Sequence, residues 1–146
     1  MRIYLDNAAT THTDPEVFEA MKPYFCEVYG NGSSQHFFGR EALAAIDRAR
    51  EQVAAAIGCK PSEVYFTSGG TESDNWAIKG TAHALAKKGR HIITTKIEHP
   101  AVIKTCEALE REGFEVTYLD VDGEGFVTPE AVEAAIRPDT VLISVM

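Results

Sequence analysis

Tyr65-Phe66-Thr67-Ser68-Gly69-Gly70-Thr71-Glu72-Ser73-Asp74-Asn75 is the stretch from which the rest of the chain can be organised. The strand-like run Val64, Tyr65, Phe66 breaks into small polar residues and two glycines, and the chain then resumes with helical spacing. Glycines permit a tight turn and leave successive N–H groups aimed into one concavity at a helix start, where the aligned peptide dipoles add partial positive charge. Such a turn is either a plain connector or a cradle for an anion, above all a phosphate. Thr71 adds a hydroxyl able to donate at the same point. Glu72 and Asp74 read equally as acids that complement the helix dipole and as participants in chemistry.

Upstream of this turn, Ile3 to Leu5 form an extended entry, and Asp14 with Pro15 gives an N-cap and first helical position. The helix runs to about Tyr29, with Pro23 kinking or interrupting it. After the loop Gly30 to Ser34, an amphipathic helix from Gly39 to Ile57 carries Leu43, Ile46, Ala49, Val53 and Ile57 at spacings of three and four, and Gly58 closes it. Downstream, a helix from about Glu72 to Lys88 stops at Gly89, and His91 to Thr95 reads as a short buried strand. Pro100 opens a helix to about Glu112, and Glu115 to Leu119 is a strand. Asp122 to Gly125 turn, Thr128 and Pro129 start a helix to Ile136, and Val141 to Val145 is an apolar strand. This alternation predicts an α/β fold, a mainly parallel sheet with helices on both faces joined by right-handed crossovers. A parallel strand as apolar as Val141 to Val145 is expected to be central and covered on both faces, which predicts that the chain is the leading part of a larger domain.

The chain has 146 residues, 45% hydrophobic and 25% charged, a composition that supports one ordinary core. Its net charge of −8, with Lys and Arg scattered, argues against a nucleic-acid partner. No apolar run approaches the roughly 20 residues that span a bilayer, and the first residues lack a secretory core, so no membrane partner and a cytoplasmic location are expected. Cys26, Cys59 and Cys106 show neither a disulfide framework nor a zinc spacing, and no metal is expected. Cys26 and Cys106 read as helical packing positions and Cys59 as a loop thiol. His12, His83 and His91 read as surface or ordinary packing residues.

Four ordered segments carry more than spacing can: Tyr4 to Thr11, Gly30 to His36, Phe66 to Asn75, and Glu98-His99-Pro100-Ala101. Together they resemble the cysteine desulfurases, enzymes of the class-V aminotransferase group that depend on pyridoxal 5'-phosphate (PLP) and have the type I fold. The resemblance implies that residues 1–15 are an N-terminal segment. Residues 16–146 are then part of the PLP-binding large domain, ending before the region of the Schiff-base lysine. It implies conversion of L-cysteine to L-alanine with the sulfur left as an enzyme-bound persulfide, a sulfur-acceptor protein, a role in iron–sulfur cluster assembly, and a homodimer.

Residue by residue, the resemblance makes Gly70 and Thr71 the holders of the PLP phosphate. It makes His99 the histidine that stacks over the pyridine ring, where an imidazole nitrogen could also move a proton. From the residues alone, His99 before Pro100 is a helix-capping, partly buried histidine. Asn7, Ala8, Thr10 and His36 match positions at the mouth of the substrate pocket. Gly32 departs from the pattern, which often has proline there, and loosens that loop. Lys79, Lys87, Lys88, Lys96 and Lys104 do not match the Schiff-base lysine, and none of the three cysteines matches the persulfide cysteine. The alternatives are a non-catalytic or split-enzyme module for PLP-phosphate binding or dimerisation, and a class-V enzyme resembling selenocysteine lyase.

Overall fold

The computed structural model describes residues 2–146, whose contacts group them into two units, one running up to Tyr65 and the other from Phe66 to Met146. The second unit is built on a three-stranded parallel sheet of β1 (His91–Thr95), β2 (Glu115–Leu119) and β3 (Thr140–Ile143), in the order β2-β1-β3. Every residue of β1 is buried, as a strand flanked on both sides and covered on both faces must be. Helices α4 (Gly70–Leu85) and α5 (Pro100–Arg111) precede and follow β1, and α6 (Pro129–Ala135) joins β2 to β3.

The core lies between the sheet and the α4/α5 pair. Ile78 and Ala82 of α4 meet Val102, Cys106 and Leu109 of α5 over Ile92 of β1, with Phe114 at the end of the helix and Val116, Tyr118 and Leu142 at the margin. Side chains alternate across a strand, so Ile92 faces this core while His91 and Ile93 face the opposite side. There the imidazole of His91 pins all three strands, with Nδ1 2.7 Å from Thr140 Oγ1 and Nε2 2.8 Å from Thr117 Oγ1. The path from β1 out to β2 and back past β1 to β3 reverses direction, and the right-handed rule for parallel crossovers then puts α6 on the face opposite α5.

The first unit consists of an extended entry, the short helices α1 (Pro15–Met21) and α2 (Pro23–Cys26), the 21-residue helix α3 (Phe37–Ile57) and a 3-10 turn at Pro61–Glu63. Gly58 ends α3 in the left-handed conformation, φ +72°, as a C-cap glycine should. Gly39 lies so close to the carbonyls of Ser34 and Asn31 that any side chain would collide with them. Arg50 reaches from α3 to the Val64 carbonyl at 3.3 Å and pairs with Asp47 at 2.8 Å.

Several sequence expectations are corrected. Pro23 interrupts the helix that starts at Pro15, as its ring requires, and the second piece ends at Cys26 rather than near Tyr29. Val64 to Phe66 form no strand, and Tyr65 and Phe66 are exposed. Among the described strands the driest is β1, whose threonines and histidine disguise it, while β3 pairs with β1 alone and is half buried. On α3 the small residues Gly39, Ala42 and Ala54 are the buried ones, while Leu43, Ile46, Val53 and Ile57 remain largely open. Cys26 is exposed rather than packed, whereas Cys106 is fully buried.

Candidate active site

In a parallel sheet, helices antiparallel to the strands begin at the strands' carboxyl ends, which is where ligands bind in open α/β folds. α4 enters β1 through the turn at 86–90 and α5 leaves it through 96–99, and the two helices pack side by side. Their N-termini therefore share the carboxyl end of β1. Gly70 and Thr71 open α4, and His99 caps α5.

Gly69 is the N-cap of α4, in extended conformation, and Gly70 is its first residue. A Cβ built at either glycine would meet nothing within 4 Å, so the space in front of the helix is open. The Gly69 carbonyl accepts the amides of Glu72 and Ser73, both at 3.1 Å. The amides of Gly70 and Thr71 have no acceptor among the described residues, as expected of a helix's first turn. Side chains brace the turn from behind. Glu72 Oε2 accepts from the amide and the hydroxyl of Ser68, each at 2.7 Å, and these bonds hold the Glu72 carboxyl below its usual range. Thr67 and Ser73 hydroxyls lie 2.7 Å apart, and Asn75 Nδ2 donates to the Thr71 carbonyl at 2.9 Å. The Thr71 hydroxyl takes no part in this network. Of the two readings of Glu72, the geometry gives the structural one.

His99 is exposed at the start of α5. Its Nδ1 accepts the amide of Ala101 at 3.1 Å. A ring nitrogen that accepts is unprotonated, so the neutral ring carries its proton on Nε2. The capping expected from sequence is present, although the ring is open rather than partly buried.

The residue before it is one that sequence reasoning passed over. Glu98 is 8% exposed, and its Oε1 accepts the Thr95 hydroxyl at 2.9 Å and the Met146 amide at 2.8 Å. An acid three residues after a strand-terminal threonine was the available signal.

Asn7, Ala8 and Thr10 lie in the first unit, in an exposed turn closed by the Ala9 and Thr10 amides on the Asp6 carbonyl at 3.1 and 3.5 Å. His36 is the N-cap of α3, its Nδ1 accepting from the Gly39 amide at 3.4 Å and its ring meeting Phe38 edge-on. Burial pushes the Cys106 thiol up to about 11. No cluster of three or more His, Cys, Asp or Glu side chains that could hold a metal ion occurs among the described residues. Among the described residues, no helix is long and apolar enough to cross a membrane.

The family model for aminotransferase class-V matches residues 3–146. The chain belongs to the class-V aminotransferase family. Among curated proteins, this class-V chain is 60% identical over 144 residues to the cysteine desulfurase IscS of Dictyoglomus turgidum, covering 99% of the chain and 36% of that protein. It is 56% identical over 144 residues to the cysteine desulfurase IscS of Methanosarcina thermophila, again covering 99% of the chain and 36% of the relative. Among solved structures, a NifS-like protein superposes with a TM-score of 0.95 at 46% identity, covering 99% of the chain and 40% of its own. The structure of SspA in complex with cysteine superposes with a TM-score of 0.92 at 44% identity, covering 97% of the chain and 41% of its own. The chain thus spans little more than a third of the curated relatives it matches.

Proposed function

We propose that the protein carrying this chain is a PLP-dependent cysteine desulfurase, to which the chain contributes the phosphate cradle and the ring-facing histidine. What supports the reading is that α4, which begins Gly70-Thr71 with an open N-terminus, and α5, which His99 caps, both start at the carboxyl end of β1. The residues fit the group. A phosphate needs amide hydrogens, room and positive potential, and the α4 terminus supplies free amides, no Cβ in front and the helix dipole. Thr71 adds its hydroxyl. No Lys or Arg occurs between Thr67 and Asn75, so backbone and dipole carry that charge.

PLP, when bound, supplies an electron sink that labilises the bonds at the α-carbon of an amino acid. His99 presents a flat face for the ring and an Nε2–H, and it holds or moves a proton there while Nδ1 stays committed to the Ala101 amide. Glu72, Ser68, Thr67 and Ser73 keep the cradle amides aimed. Asn7, Ala8, Thr10 and His36 are the substrate-positioning residues that the family resemblance implies. L-cysteine is the substrate, with L-alanine and a persulfide as products. The sulfur passes to an acceptor protein in iron–sulfur cluster assembly, and the enzyme works as a cytoplasmic homodimer. The relatives named cysteine desulfurase and the cysteine-bound SspA structure support the substrate assignment.

The test uses the intact protein. PLP titration followed by absorbance should saturate, and incubation with L-cysteine should release alanine in step with persulfide. Saturation with PLP but no alanine from L-cysteine would overturn the desulfurase assignment.

A further inference from the structure

We infer that Glu98 is a positioning residue that sets His99, resting on the functional reading above only for what His99 does. The carboxylate ties two chain segments together at the carboxyl end of the sheet, the turn that leaves β1 and the stretch that follows β3. Thr95, the last residue of β1, donates its hydroxyl to Oε1, which closes the turn 95–98 with a side-chain staple. The Met146 amide donates to the same oxygen. Just before it, the Ser144 amide donates to the Ile93 carbonyl at 2.9 Å, so 144–146 continues beside β1. On the other flank of the turn, the Lys96 amide donates to the Leu119 carbonyl at 3.0 Å, fixing the same turn to the end of β2.

Burying a carboxylate is costly unless donors meet it, and here two donors converge on one oxygen. The consequence reaches His99 through the backbone. With Glu98 held, the next residue enters α5 at φ −57°, ψ 145°, the non-helical geometry that brings an N-cap side chain back onto the helix's own amide. The Ala101 bond then fixes the ring and its tautomer. Glu98 thus acts through His99.

The experiment compares Glu98→Ala with Glu98→Gln in the intact protein, without added cofactor. Gln keeps an acceptor oxygen for both donors and Ala keeps none. Hydrogen exchange read by mass spectrometry reports the 99–103 and 140–146 peptides, and the pH profile of carbethoxylation reports the His99 ring. In E98A, exchange in both peptides should rise about tenfold, and the His99 pH profile should shift. E98Q should restore both to within about twofold of the parent.

If E98A fails to fold, Thr95→Val removes one donor without changing side-chain shape and should move both readouts the same way, by less. An E98A or T95V protein that frees 140–146 while the His99 profile and the 99–103 peptide stay unchanged makes Glu98 a strand anchor only and overturns the inference. So does an E98Q protein that behaves as E98A does. Because no readout involves PLP, failure here is distinct from failure of the desulfurase reading, which would show as absent saturation or absent alanine.

Discussion

Glu72 holds Ser68 by both of that residue's donors, amide and hydroxyl, with a single carboxylate oxygen 2.7 Å from each. The pair closes the loop that carries the two glycines, so the acid that sequence leaves between two roles works as a brace. Glu72→Ala should weaken PLP binding by about tenfold, the value of one charge-assisted hydrogen bond, while Glu72→Gln should lose less. Absorbance titration checks it, and equal losses in both variants would show that charge alone matters. The folded carboxyl titrates below its unfolded value, so the brace is intact at neutral pH and is lost as pH falls through the folded pKa.

The buried His91 gives a pH dependence of its own. Burial, and then the nearby Arg137, lower its pKa. A histidine held neutral in the fold contributes stability that is present above its unfolded pKa and declines as pH drops through that value toward the lower folded one. Urea unfolding should therefore show a stability falling between about pH 7 and pH 5 in the parent, and a flatter profile in His91→Ala. At neutral pH the variant should cost about 3 kcal/mol, because it opens a cavity and strips two threonine hydroxyls of their partner.

His99 separates capping from chemistry. Asn is among the best N-caps, so His99→Asn should keep the α5 terminus and the melting temperature, whereas His99→Ala should cost about 1 kcal/mol. Both should lower kcat for alanine release by about a hundredfold or more if the imidazole handles a proton. Differential scanning fluorimetry beside a product assay distinguishes the two effects. A His99→Asn enzyme with parental kcat would assign the histidine to the helix alone.

The three thiols should label in a fixed order. Cys26 is exposed and Cys59 half-buried, while Cys106 lies in the α4/α5 core with its thiol at about 11. Titration with a disulfide reagent near pH 8 should modify Cys26 first, then Cys59, and Cys106 only in denaturant. Rapid labelling of Cys106 in the native protein would contradict the packing of α5 on the sheet.

Much of this was legible in the residues, and the misses share a cause. Capping and termination are local chemistry, so Asp14-Pro15, Gly58, Pro100 and Thr128-Pro129 mark boundaries that the structure keeps. Strand position is not local. β1 reads His-Ile-Ile-Thr-Thr and is the driest of the described strands because β2 and β3 flank it on both sides; His91 bonds a threonine on each neighbour and Thr95 bonds Glu98, while Thr94 Oγ1 is buried without a hydrogen-bond partner among the described residues. Val64 to Phe66 had strand composition, yet the segment is not a strand. At the site, Gly70, Thr71 and His99 stood out through motif order, while Glu98 stood in the same motif as His99 with no role assigned to it. Its importance lies in a bond to Met146, far along the chain, which no spacing reveals.

The middle place of β1 also constrains how the protein can be made. Ribosomes deliver this strand before either of the strands that flank it, β2 and then β3. A nascent chain therefore emerges with its driest segment bare along both rims, and the α4/α5 pair can shield one face but neither edge. Synthesis must pass Ile143 before the second rim is zipped, and until then the polypeptide is the kind of substrate that holdase chaperones grip.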